Sequence, residues 1–214
     1  MKETTFDRPH GPDNPRNSEG SFLLTKDGRI RFIYTRYTGK SWGDHASADL
    51  AEVFSDDGGD TWQDRGVVVS RGDAKNIMSV SLLRLADGRI LMLYLRKRHA
   101  ADGSVYCMPF CRWSSDEAQS WSEPVSCLQN DGYHVVNNDR LVQLSSGRIA
   151  FSMSYHWNGR GNHNPAFAIY CYSDDGGATW QQNPNPVFPS MESGTVVGWQ
   201  EPGIVELAPH ELMM

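Results

Sequence analysis

Glu19, Ser79 and Asn138 each stand nine residues ahead of a glycine, Gly28, Gly88 and Gly147, and Arg36, Arg96 and Tyr155 each stand eight residues after it. Glu201 takes the first of these positions a fourth time if His210 occupies the glycine place. Carboxylate, hydroxyl, amide and guanidinium groups thus recur at two fixed positions whose flanking residues are apolar. That pattern suits a polar pocket built on an apolar scaffold: carboxylates can move protons or accept hydroxyl hydrogens, and guanidinium groups grip anions. The expectation is that Glu19, Arg36, Arg96, Asn138, Tyr155 and Glu201 face one concave surface.

The elements that must position them are repeated. Each glycine lies in a short turn, DGRI at 27–30 and 87–90 and SGRI at 146–149, between β-rich apolar runs such as SFLL and RFIY. Glycine supplies the positive φ that tight hairpin turns demand. A second motif keeps step: SDDGGDTW from Ser55, SSDEAQSW from Ser114 and SDDGGATW from Ser173, at equal intervals of 59 residues. Two unrelated motifs sharing one period mark a repeated structural unit. The second motif reads as a further hairpin turn, its Asp bonding backbone N–H groups and its Trp packing over the fold. Four strands per unit, repeated radially, describe an all-β propeller of four-stranded antiparallel blades. Repeat units near 16–75, 76–134 and 135–195 and the start of a fourth at 196–214 form one domain over 1–214.

The S-x-D-x-[G/A]-x-[S/T]-W element resembles the Asp-box, or bacterial neuraminidase repeat, and the chain is identified as similar to the sialidase superfamily of six-bladed propellers. About three and a half blades are then present. A full ring of such units needs roughly 360 residues, so the expectation is a C-terminally truncated chain. The resemblance implies an exo-glycoside hydrolase that releases a terminal sugar, sialic acid or a relative, from a glycan or glycoconjugate, without a cofactor. Asp44 then matches the family's acid/base aspartate, on a Gly-flanked loop with Trp42 and His45 that can shield an acid and raise its pKa. Asp49, in a strand, is the second choice. Glu201 matches the glutamate that polarises the family's tyrosine nucleophile, while Glu206 marks a strand edge. The nucleophile and two arginines of the family's carboxylate-binding triad are expected beyond Met214. Glu19 stands where the family places the first triad arginine, and Arg16, Arg36 or Arg96 would have to supply the positive charge. Otherwise the substrate is another, uncharged, sugar. His134, His156, Trp157 and Arg160 are expected on loops near the same face.

Composition excludes other classes. A net charge of −6 and a pI near 5.6 argue against nucleic acid, which wants a basic face. No apolar run reaches membrane-spanning length, and the N-terminus lacks a signal-peptide h-region, which makes the cytoplasm the default compartment. Cys107, Cys111, Cys127 and Cys171 read as free thiols, with one disulfide left open. His134, His156 and His163 lack the tight spacing of a metal site. Nothing in the sequence sets an oligomeric state. Two other functions remain: a carbohydrate-binding propeller without catalysis, and a propeller-type polysaccharide lyase using Tyr133-His134 or Tyr155-His156 for proton abstraction.

Overall fold

The computed structural model describes residues 6–156, 166–189 and 198–214. Among the described residues there are strands and turns and no helix. The first unit is a four-stranded antiparallel sheet in chain order: β1 (Asn17–Leu24), β2 (Ile30–Tyr37), β3 (Ala48–Ser55) and β4 (Gln63–Val69). The second group is β5 (Asn76–Arg84), β6 (Ile90–His99), β7 (Val105–Ser114) and the short β8 (Val125–Ser126). In the third, β9 (Tyr133–Val135) and β10 (Val142–Gln143) both pair with β11 (Ile149–His156), followed by β12 (Ala166–Ser173) and β13 (Gln181–Gln182). A single parallel pairing, Cys107 with Tyr133, joins the second and third groups into one nine-stranded sheet. The hairpin β14 (Val205–Ala208) and β15 (Glu211–Met213) opens a fourth group.

The first hairpin of each group is set by its turn. Gly28, Gly88 and Gly147 adopt φ of 89°, 88° and 88°, and in each case the glycine N–H donates to the carbonyl three residues earlier. His210 sits at φ 69° between β14 and β15, so it holds the glycine place in a conformation that costs an L-residue about 1–2 kcal/mol.

Each Asp-box joins the last two strands of its group. Asp57 Oδ1 accepts from Thr61 N–H (2.8 Å), Oδ2 accepts from the Thr61 hydroxyl (2.6 Å), and Ser55 Oγ accepts from Gly59 N–H (2.8 Å). The same bonds recur around Asp116 with Ser120 and Ser114, and around Asp175 with Thr179 and Ser173. These bonds draw all three carboxylates to lower pKa, Asp57 to about 2. The boxes also tie neighbours together: Arg65 donates to the Ala118 and Gln119 carbonyls of the second box, and Trp113 Nε1 donates to Gly176 O of the third.

Apolar side chains fill the space between successive sheets. Ile33, Leu50 and Val69 of the first meet Ile77, Ile90, Met92 and Tyr94 of the second, while Leu91, Leu93 and Leu95 on the other face of β6 meet Ile149, Phe151 and Met153. Within the first sheet, Arg31 and Glu52 form a buried ion pair, and Arg65 reaches the other Glu52 oxygen at 3.0 Å.

Candidate functional site

Where the first strands kink, the backbone turns left-handed. Glu19 (φ 50°), Ser79 (φ 57°) and Glu201 (φ 49°) share this conformation, and Asp139 (φ 55°) takes it in the third group. In β1 and β5 the kink is a bulge that shifts the pairing register between Ser18 and Ser21 and between Met78 and Ser81. A bulge re-aims one side chain out of the strand's alternation. After Glu19 the chain passes so close to β2 that a Cβ on Gly20 would meet the Phe32 ring at 2.3 Å. Non-glycine residues held in this region at equivalent places mark strain concentrated at one spot.

That spot is a cavity of about 150 Å³ whose lining includes Glu19, Asp44, Ser79, Lys97, Tyr133, Asn137, His156, Gln200 and Glu201. Arg16 closes one side: its Nη1 donates to Asp44 Oδ1 (2.6 Å) and to Trp42 O (3.3 Å), its Nη2 lies 3.9 Å from Glu19 Oε1, and its guanidinium sits over the Tyr37 ring. The Asp44 backbone is anchored from the second group, since both Lys97 Nζ and Asn76 Nδ2 donate to its carbonyl at 2.9 Å. Asn137 Nδ2 donates to Glu201 Oε2 at 2.8 Å. His156 is 4% exposed and packs edge-on against Tyr133, with Gln200 alongside its ring.

The carboxyl groups are pushed apart. Burial raises the Glu19 pKa; the charges of Asp44 and Glu201 add to the rise, while Arg16 and Lys97 oppose it. Asp44 moves the other way: the Arg16 hydrogen bond lowers its pKa against a partial desolvation that would raise it. The expectation that the Asp44 loop raises its acid's pKa is therefore corrected. Asp44 lies at the cavity mouth, and Arg16, arriving from β1's approach, keeps it ionised. Burial lowers the His156 pKa, with Gln200 drawing it back in part, and burial together with Lys97 and Lys75 lowers that of His45. Both rings are held toward the neutral form. One carboxyl poised to hold a proton beside one kept ionised is the division of labour that acid/base chemistry needs.

Of the residues singled out in the sequence, the cavity gathers Glu19, Asp44, Ser79, Tyr133, His156 and Glu201, with Arg16 alongside. Arg36, Arg96 and Tyr155 do not line it. Successive strand residues point to opposite faces, and of the next residues in each strand Lys97 and His156 line the cavity, while Tyr37 is buried beneath the Arg16 guanidinium. Arg36 instead lies on the Phe32 and Tyr34 side of β2, Arg96 pairs with Asp73 against Phe110, and Tyr155 packs on His134 and Phe167. Asn138 serves the backbone, its Nδ2 donating to Gly20 O, and Asn137 takes the cavity position. His134 and His156 are in strands, not loops; His134 is buried against the Cys107 carbonyl and its pKa falls to about 4. Asp49 is bound by Arg71, and Glu206 accepts from Ser145. All four cysteines are free and buried. Trp157, Arg160 and His163 lie outside the described residues. Lys97 was legible only as a charge ending the apolar face Leu91, Leu93, Leu95.

Residues 50–192 match the BNR repeat-like domain family. The chain belongs to this family. No curated protein sequence matches it. Among solved structures it is similar to a protein of unknown function from Dyadobacter fermentans DSM 18053, with 20% identity and a TM-score of 0.72 over 92% of this chain and 60% of that one. A Hadza microbial sialidase gives 17% identity and a TM-score of 0.70, covering 94% of this chain and 42% of the sialidase. A leech intramolecular trans-sialidase, complexed with 2,7-anhydro-Neu5Ac, gives 13% and 0.66, covering 99% and 49%. The fold is thus sialidase-like, and the chain spans less than two thirds of the length of each of these structures.

Proposed function

We propose that this chain carries the acid side of a sialidase-type exo-glycoside hydrolase site, its repeat units arranged radially as propeller blades around the Glu19–Glu201 cavity. The observation that carries the reading is the set of three carboxylates, Glu19, Asp44 and Glu201, on one cavity, with the first drawn toward its protonated form and the second toward its ionised form. In this proposal Glu19 gives its proton to the glycosidic oxygen as the bond to the anomeric carbon breaks. Asp44, ionised, stabilises the positive charge that develops on the sugar. Glu201 takes a proton from the water whose hydroxyl adds to the anomeric carbon, which completes hydrolysis. The sialidase likeness of the fold supports the substrate class, a terminal sugar of a glycan.

The test compares wild type and Glu19→Gln on aryl glycosides of rising leaving-group acidity. A general acid contributes roughly 10²–10⁴-fold, so the variant should lose that factor on poor leaving groups and recover most of it on a nitrophenolate, which needs no proton. A loss that ignores the leaving group would remove Glu19 as the acid. A second reading is a carbohydrate-binding module without catalysis. It is favoured by Asp44's ion pair with Arg16, which occupies one of its oxygens, and binding without turnover in the same assay would select it.

A further inference from the structure

We propose that a second pocket, on the face of β6 opposite Lys97, binds an acidic sugar unit, one that carries a carboxylate or a sulfate. That the anion belongs to a sugar rests on the glycan reading above; that the pocket takes an anion rests on its own residues. Alternation and register assemble it. Arg96 and Arg98 stand two apart on β6, so they leave one side of the strand about 6.6 Å apart along it. Arg96 pairs with Met108 and Arg98 with Tyr106 on β7, while Phe110 pairs with Ser126 on β8, which puts these side chains on the same face. The space between them is about 300 Å³, with Met108, Phe110 and Leu128 as an apolar floor and Arg96 and Arg98 flanking it. Every lining residue falls between Arg96 and Asp131, in the second group and the loop that leaves it.

The two guanidinium groups are held ready. Arg96 lies over the Phe110 ring, 5.5 Å from its centre, and Arg98 over the Tyr106 ring at 5.4 Å. Such stacking fixes the planar fork and leaves its edge nitrogens to donate. Their present acceptors are exposed: Arg96 donates to Asp73, whose side chain is 89% exposed, and Arg98 to Asp131, at 45%. Ion pairs this exposed contribute little and yield to a better acceptor. A ligand carboxylate or sulfate, carried in on an apolar body, can take both forks and release the two aspartates to water. The charge of the surroundings is a separate observation. In a chain of net charge −6, four basic residues in a row, Arg96-Lys97-Arg98-His99, end β6. Lys75 Nζ lies 2.9 Å from His99 Nε2, so two bases are in direct contact. After burial, Lys97 and Lys75 are what lower the pKa of His45, a sign of the same positive field. A field of one sign concentrated on an otherwise acidic molecule attracts an anion. The rest of the pocket suits a sugar. The C–H face of a pyranose ring can lie on Met108, Phe110 and Leu128, and the Gln129 amide can donate to and accept from hydroxyls.

The experiment titrates isotope-labelled protein with three disaccharides: a chondroitin unit with its uronate alone, the same unit sulfated, and neutral lactose. NMR reads the two places separately, through the Arg96 and Arg98 Nε–H and Met108 methyl signals for the pocket and the Tyr133 and His156 rings for the Glu19 cavity. At least one acid should shift the pocket signals and bind there at least about tenfold more tightly than lactose. Whichever acid binds more tightly names the anion. Arg96→Gln with Arg98→Gln should weaken it at least about tenfold, with the amide fingerprint showing the fold intact. Arg98→Gln alone, at a half-exposed side chain, should weaken it at least about threefold. The inference is overturned if neither acid shifts the pocket signals, if shifts are confined to the Tyr133 and His156 rings, if lactose binds the pocket as tightly, or if the double variant binds as wild type does. The hydrolase reading is tested apart from this, by aryl alcohol release from an aryl glycoside. No release, with the acid still bound at Arg96 and Arg98, removes that reading and upholds the pocket.

Discussion

Glu52 offers a stability test whose size follows from its surroundings. It is fully buried in the middle of β3, where one oxygen meets Arg31, itself 3% exposed, and the other meets Arg65. Arg65 carries the link onward to two carbonyls of the second Asp-box. Glu52→Leu would leave the Arg31 guanidinium buried with no counter-charge, and removing one partner of a buried pair typically costs about 3–5 kcal/mol. In a domain of this size each kcal/mol moves Tm by about 2–4 °C, so the expected fall is about 6–20 °C, read by thermal or urea denaturation. Arg65→Ala should cost much less, about 1 kcal/mol or below, because its head is partly solvated and the Arg31–Glu52 pair survives. The double change Arg31→Met with Glu52→Leu should recover most of the loss, since matched apolar residues often replace a buried pair at little cost. The reasoning fails if Glu52→Leu costs under about 1 kcal/mol, or if the double variant is as unstable as the sum of its parts.

Ser114→Ala removes the acceptor of the Ala118 N–H and the donor to Asp116 inside a buried turn; leaving that N–H unsatisfied should cost about 1–3 kcal/mol in chemical denaturation. The box carboxylates Asp57, Asp116 and Asp175 have folded pKa values below the ordinary 3.8. Their contribution to stability is therefore present above pH 3.8 and lost as pH falls through the lowered values, near 2 for Asp57. Denaturation midpoints should drop across that window, and Asp116→Asn should flatten the drop. Arg36→Ala should leave sugar binding within about twofold, because its side chain is on the far face of β2, whereas Lys97→Met, which removes the cavity's lysine and one of the two donors to the Asp44 carbonyl, should weaken binding at least about tenfold, read by saturation-transfer NMR with an aryl glycoside.

The all-β, sialidase-like character of the fold was legible because its punctuation is local. Glycine at positive φ and the Ser–Asp–Thr bonds of each box are decided within eight residues, so they survive as motifs with a common period. Even His210 could be placed in its turn by counting. The site was half legible. Counting back from the turn found Glu19, Ser79 and Glu201 because their left-handed kinks repeat. Counting forward landed on Arg36, Arg96 and Tyr155, one residue short of Tyr37, Lys97 and His156. Both positions are polar, so composition could not choose between them, and a one-residue slip on a strand exchanges its faces. The alternation itself held the answer: Lys97 continues the buried face Leu91, Leu93, Leu95. Asp44's lowered pKa was not legible, since it depends on Arg16, 28 residues earlier in the chain and brought alongside only by folding.

The central claim is that the site pushes its two carboxyls apart, Glu19 toward the protonated form by burial and Asp44 toward the ionised form by Arg16. Carbon-13 NMR titration of the side-chain carboxyls measures both directly, with Glu19→Gln and Asp44→Asn assigning the signals. Glu19 should titrate above its ordinary 4.5 and Asp44 below its ordinary 3.8, and Arg16→Ala should move Asp44 upward toward the ordinary value. A Glu19 that titrates at or below 4.5, or an Asp44 that titrates above Glu19, would contradict the account.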